Sequence, residues 1–131
     1  MASGITTFLM FTGKAEAAAT FYISLFNDSA MLTLERYGAG EQGAEGSVKR
    51  TTFRLASQTY MAIDSPAKHA FDFTPSMSLF VDCDSEAELD RLFAALSDGG
   101  QALMPLGNYG FSRKFGWLND RYGVSWQLNL A

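Results

Sequence analysis

The sequence predicts an α+β fold in which one βαβββ module is used twice. Three observations carry this. The order of strand-like and helix-like runs is the same in two nearly equal halves, about residues 5–64 and 75–130, joined by a linker at 65–74. Within each half the apolar period changes once from two residues to 3.6 and back, as a strand–helix–strand order requires. Turn residues separate the strand-like runs, and self-similarity at this scale marks an internal repeat. All 131 residues are then expected to form one domain, a length that buries about two-thirds of its unfolded surface.

The first run, 5–11, is rich in β-formers and closes on Thr12-Gly13. Residues 14–26 read as an amphipathic helix with Ala17, Ala18, Phe21 and Leu25 on one stripe and Tyr22 and Phe26 beside it. Strands are expected at 30–37, 48–55 and 59–64, the last two joined tightly by Ala56-Ser57-Gln58. The second half opens with a strand at 76–82. Ser85-Glu86-Ala87-Glu88 is then a capping box, in which hydroxyl and carboxylate satisfy orphan backbone donors. Leu89, Leu92, Phe93 and Leu96 form the stripe of a helix that ends at Gly99-Gly100. Three strands follow, at 101–106, 112–118 and 124–130, with turns at Gly107-Asn108 and Asn119-Asp120-Arg121-Tyr122-Gly123.

Composition removes several functions. Ten Lys and Arg against 14 Asp and Glu give a net charge of −4, the wrong sign for general nucleic-acid binding. The one cysteine excludes an intrachain disulfide and a thiolate zinc cluster, and the one histidine excludes a site with two imidazoles from one chain. No run has the length or flanks of a signal peptide or membrane span, so a cytoplasmic protein without a membrane partner is expected. Asn27-Asp28-Ser29 matches the glycosylation pattern by chance.

The short motifs are mostly structural. Gly38-Ala39-Gly40-Glu41-Gln42-Gly43 spells a dinucleotide fingerprint, but a strand follows it rather than a helix, and Glu41 and Glu45 repel phosphate. It reads as a hairpin loop. His69 lies in the polar linker with no carboxylate placed beside it. Cys83 stands between Asp82 and Asp84, which raise a thiol pKa, so it reads as a structural cysteine. Glu86, Glu88 and Asp90 occupy the first turns of a helix, where the dipole favours them. Phe8, Phe21, Tyr22, Phe26, Phe53, Phe80 and Phe93 read as core aromatics. Strand alternation sets Leu9 and Phe11 against Phe8 and Met10. It also sets Met77, Leu79 and Val81 against Ser76, Ser78 and Phe80, and Trp126, Leu128 and Leu130 against Ser125, Gln127 and Asn129. The greasier sides are expected under the helices, and the mixed sides either on a concave wall of the kind that binds small molecules or in a sheet core or dimer contact with the polar residues at its rim. Arg113, Phe115 and Trp117 share one strand face by alternation, which suits either a strand edge with a snorkelling Arg or an anionic or flat aromatic ligand.

The double repeat resembles the glyoxalase/bleomycin-resistance/dioxygenase (vicinal oxygen chelate) superfamily. The likeness is carried by residues 11–26, Asp64-Ser65-Pro66, 78–82, Gly107-Asn108-Tyr109-Gly110-Phe111, Phe115-Gly116-Trp117-Leu118-Asn119-Asp120 and the following Arg121-Tyr122-Gly123-Val124-Ser125-Trp126. It is similar above all to the PhnB-like branch, which carries a 3-demethylubiquinone-9 3-methyltransferase label. The resemblance implies curved mixed sheets around a cleft, commonly completed in a homodimer. It also implies that metal-ligand positions of the superfamily fall on Thr6, Ser76 and Gln127, with a fourth in 60–64. Two hydroxyls and an amide are poor ligands for zinc, nickel or iron. Nor does the chain have the larger parallel α/β domain that a methyltransferase uses to hold S-adenosylmethionine.

The expected function is therefore metal-independent binding of a small molecule. Thr6, Ser76 and Gln127 would offer hydrogen bonds, Phe8, Phe80 and Trp117 apolar walls, and Arg113 a charge for an anionic group. No cofactor is expected. The first alternative is a lyase, isomerase or transferase with a divalent metal on Asp64, Gln127 and His69; the second is a structural dimer without a ligand.

Overall fold

The chain is described by a computed structural model covering all 131 residues. Its elements are β1 (Thr7–Phe11), α1 (Ala15–Leu25), β2 (Ala30–Arg36), β3 (Val48–Leu55), β4 (Gln58–Asp64), β5 (Leu79–Asp82), α2 (Glu86–Ser97), β6 (Gln101–Gly107), β7 (Lys114–Asn119) and β8 (Ser125–Leu130). They fall into two compact units, Met1–His69 and Ala70–Ala131, which coincide with the two βαβββ repeats. Each unit is one four-stranded sheet and one helix, with strand order β1-β4-β3-β2 in the first and β5-β8-β7-β6 in the second. The opening strand of each unit pairs in parallel with its closing strand, and all other pairs are antiparallel. No helix is long and apolar enough to cross a membrane.

In the first unit, Leu9, Phe11, Phe53, Leu55 and Ala62 are buried with Ala15, Ala18, Ala19, Tyr22 and Leu25 of α1. The helical stripe is thus rotated from the expected one. Ala17 is exposed and Phe21 only half-buried, whereas Tyr22 is completely buried. A run of alanines cannot show from sequence which of its methyls faces the sheet. In the second unit α2 buries Leu89, Leu92 and Leu96, as its period requires, while Phe93 closes over Gly116 of β7. A Cβ at Gly116 would stand 2.6 Å from the Phe93 ring, so only glycine admits that approach. The cap of α2 is a displaced capping box. Ser85 Oγ accepts from Glu88 N at 3.2 Å, and Glu88 Oε1 accepts from Asp84 N at 2.9 Å.

Several boundaries differ from expectation. β1 begins at Thr7, leaving Ile5 and Thr6 outside it and exposed, and β5 begins at Leu79 rather than at residue 76. Ser76 therefore lies in the turn before the strand, its hydroxyl 2.7 Å from that of Thr74, and Met77 is 73% exposed rather than packed with Leu79 and Val81. Arg113 precedes β7 instead of belonging to it. Phe8 (51% exposed) and Phe80 (55%) are not core aromatics. Both project from the sheet face opposite the helix of their own unit, where nothing in this chain covers them fully. The run 38–46 is a hairpin loop between β2 and β3, as expected.

The β3–β4 hairpin carries local strain. Leu55 pairs with Gln58 across a two-residue turn in which Ala56 (φ 47°) and Ser57 (φ 68°) are both left-handed. Such a turn favours Asn-Gly, because a Cβ in this region meets its own carbonyl. Replacing Ala56 by Asn together with Ser57 by Gly is expected to add ~1 kcal/mol of stability and to raise the thermal midpoint by about 3–6 °C. An unchanged or lower midpoint in a calorimetric scan would contradict this assignment of strain.

Candidate functional site

In the second unit, α2 covers the sheet face that carries Leu118, Trp126, Leu128 and Leu130. Register places the alternate residues on the other face. Phe80 stands opposite Gln127, Asp82 opposite Asn129, Trp117 opposite Gln127, and Phe115 opposite Asn129. The face is half aromatic and half polar. Phe115, almost fully buried, is the centre of the aromatic half. The rings of Phe111, Tyr109 and Phe80 surround it at centroid distances of 4.9, 6.2 and 6.3 Å. All three surrounding rings are substantially exposed.

The polar half is a hydrogen-bonded chain. Trp117 Nε1 donates to Ser125 Oγ at 2.8 Å, Ser125 and Ser78 share a hydroxyl bond of 2.7 Å, and Gln127 Nε2 donates to Ser78 Oγ at 3.3 Å. Beside it Asn129 Nδ2 donates to Asp82 Oδ1 at 3.1 Å. Ser125 is fully buried, while Trp117, Gln127 and Asn129 are half-buried. Such a chain holds its side chains in single rotamers and leaves the upper edges of an indole and an amide accessible.

Of the residues singled out from sequence, the structure gathers Phe80, Trp117 and Gln127 on this one face. Ser76 lies outside it for the reason given above. Arg113 sits in the exposed turn before β7 and donates Nε–H to the Ala131 carbonyl. Thr6 and Phe8 belong to the first unit, where Phe8, Met10, Met61 and Ile63 share the face turned away from α1. Ser78, Ser125, Asn129 and Asp82 were not singled out as site residues. Their signal was the alternation itself, since Ser125 and Asn129 flank Gln127 at the two-residue spacing of one strand face.

Of the alternative metal set, Asp64 and His69 belong to the first unit and Gln127 to the second. Asp64 is buried at the end of β4, and both its oxygens are engaged. Oδ1 accepts from Gly13 N (2.8 Å) and Ala15 N (2.9 Å), and Oδ2 from Val48 N (2.9 Å). The carboxylate thus ties the start of α1 to the start of β3. It forms part of the floor of an open pocket of about 330 Å³ edged by Thr12, Gly13, Ser47, Ser65 and Lys68. His69 is exposed, with Nε2 at 2.9 Å from Ser65 Oγ. Nowhere do three His, Cys, Asp or Glu side chains converge. Cys83 is buried, and burial first, then the carboxylate of Glu88 and those of Asp82 and Asp84, pushes its thiol up to about 11. It is a thiol rather than a nucleophile at neutral pH.

A family model described as 3-demethylubiquinone-9 3-methyltransferase matches residues 3–129. The chain belongs to this family, the PhnB family. The PhnB protein from Bacillus cereus is 56% identical, with 98% of this chain and 100% of that one covered and a TM-score of 0.96. Protein PA1353 from Pseudomonas aeruginosa is 29% identical over 98% of each chain, with a TM-score of 0.85. The fosfomycin resistance protein FosX from Listeria monocytogenes, solved with Mn(II) and a dihydroxypropylphosphonic acid, is 11% identical over 98% of this chain and 93% of that one. Its TM-score of 0.66 shows a shared fold. No curated protein matches the chain.

The residues of this PhnB-family chain do not fit the groups that family and fold bring to mind. S-adenosylmethionine would call for a glycine loop running from a strand into a helix of a parallel sheet. The glycine-rich loop here joins the antiparallel strands β2 and β3. A divalent metal would call for carboxylate or imidazole donors. The open face of the second unit offers amides, hydroxyls and one exposed carboxylate, Asp82.

Proposed function

We propose that this PhnB-family protein binds a small molecule on the open face of the second unit, without a resident metal. The observation that carries the reading is the chain Trp117–Ser125–Ser78–Gln127 laid along an otherwise aromatic strand face. Phe80 and Trp117 supply flat apolar surface, and Gln127 supplies an oriented amide. A polar chain held in place beside an apolar wall is how small-molecule sites combine affinity with orientation. It is also more than sheet stability needs, because leucines at the same positions would pack without it.

The test is a fragment screen read at the Trp117 indole N–H by NMR. Hits are expected to shift that resonance, and Gln127→Leu is expected to weaken them by about tenfold while leaving thermal stability nearly unchanged. Hits that bind the folded protein without moving Trp117, or that ignore Gln127→Leu, would place the ligand elsewhere. Stoichiometric metal in protein purified without chelator, lost on Gln127→Ala, would overturn the metal-independent reading.

The first unit has a different surface. Phe8, Met10, Met61 and Ile63 form an apolar patch beside the uncharged edge strand β1, which has no proline or lysine to discourage pairing. We propose that a second copy of the chain covers it in a homodimer. Light scattering should give twice the 14.3 kDa chain mass, and Phe8→Lys should return it to the monomer value.

A further inference from the structure

We infer that the open face of the second unit takes a flat aromatic ligand that donates hydrogen bonds and is neutral or cationic, not anionic. This rests on the binding reading above and adds the chemical class of the ligand. It replaces the anionic ligand suggested by Arg113 in the sequence.

The charge distribution comes first. The first unit has six acidic and six basic side chains and is neutral, whereas the second has eight acidic and four basic and carries the whole net charge of −4. Three of those four cations lie away from the open face, and the fourth, Arg113, stands just past its end, beyond Phe115. Lys114 lies on the α2 side between Glu86 Oε2 (2.9 Å) and Asp90 Oδ1 (2.8 Å), and Arg91 is on α2 itself. Arg121 pairs with Asp98 at 3.4 Å, and Arg113 is held at the Ala131 carbonyl. The one formal charge on the face is the exposed carboxylate of Asp82. An anion beside Asp82 would meet repulsion, and the one cation near it within this unit, Arg113, has its Nε–H committed to the Ala131 carbonyl.

Hydrogen-bond direction points the same way. The indole N–H of Trp117 is consumed by Ser125, so a ligand meets the ring rather than the donor. Both amides are anchored by their nitrogen ends, Gln127 on Ser78 and Asn129 on Asp82. Their oxygen ends, and the second oxygen of Asp82, are the groups turned away from these partners, and no group in the chain donates to them. An aromatic N–H, amino or amidine group satisfies these acceptors while its ring lies against Trp117 and Phe80. A carboxylate or phosphate cannot.

Three probes of similar size separate the possibilities: benzamidine (cationic donor), indole (neutral donor) and benzoate (anion). Each is titrated into the full chain at moderate salt and read at the Trp117 indole N–H, assigned with Trp117→Phe. Benzamidine and indole are expected to bind at least about tenfold tighter than benzoate. Asp82→Asn should lower benzamidine affinity several-fold and indole affinity much less, and the retained indole binding also controls for loss of fold. Benzoate binding as tightly as benzamidine would overturn this inference and leave the binding reading standing. If none of the three moves the resonance, the binding reading beneath it falls as well.

Discussion

Replacing Asp64 by alanine is expected to destabilise the protein by about 3–5 kcal/mol, a large share of a small domain's total stability. The carboxylate accepts three backbone N–H groups, from Gly13, Ala15 and Val48, in a buried setting. Alanine would leave three donors without their acceptor, each at a desolvation cost of about 1–3 kcal/mol offset in part by entering water. Asn is an informative intermediate. Its oxygen can keep the Gly13 and Ala15 bonds, while its NH2 would confront the Val48 N–H, so roughly half the loss is expected. Urea denaturation measures both. Amide exchange should show protection lost first at Ala15 and Val48. If Asp64 instead served a ligand or metal, the Asn variant would keep full stability and lose binding, and that result would sink the structural assignment.

A comparable loss, about 3 kcal/mol, is expected for Asp120→Asn in the second unit. Asp120 Oδ1 accepts from Tyr122 N (2.8 Å) and Val124 N (3.0 Å), which shape the β7–β8 turn, and Oδ2 accepts from the buried indole Nε1 of Trp126 at 2.9 Å. The turn also depends on Gly123, whose φ of +89° disfavours any side chain. Asn can retain the two turn bonds with its oxygen but presents NH2 to an indole N–H. The partner variant Trp126→Phe removes that indole donor at its own packing cost. The double variant Asp120→Asn/Trp126→Phe should therefore lose clearly less than the sum of the singles. Additive losses would show that Asp120 works through the turn alone.

This second carboxylate also explains part of the motif on which the sequence resembles the PhnB-like branch. Asp120, Gly123, Val124 and Trp126 stand at those spacings because one side chain closes a turn and anchors the indole two strand positions beyond it. Asp64 is the opposite case. As an acidic residue at a strand end it looked like a metal ligand candidate, because nothing local shows what it holds. Two of its partners lie 51 and 49 residues away in the chain, and contacts at that separation have no local sequence signature.

The same division runs through the site. Alternation placed Phe80, Trp117 and Gln127 on strand faces, and register then showed that those faces are one face. Ser76 and Arg113 were assigned by extending strands a few residues too far. Strand ends are set by where a partner strand stops, not by the propensity of the residues there. Phe8 and Phe80 read as core because they are aromatic, yet they lie on the side of the sheet that their own helix does not cover.

Sequence alone determined the repeated βαβββ order, the cap of α2, the hairpin nature of the glycine-rich loop and the unreactive character of Cys83. All of these rest on neighbours within a few positions, where periodicity, capping and local charge act. Tertiary structure decided which face of α1 is buried, which carboxylate ties up the backbone within each unit, and the direction of every hydrogen bond on the open face. Those depend on strand register and on donors far away in the chain. Register is therefore what turned the scarcity of metal ligands into a particular surface, acceptor-bearing, aromatic and negatively charged.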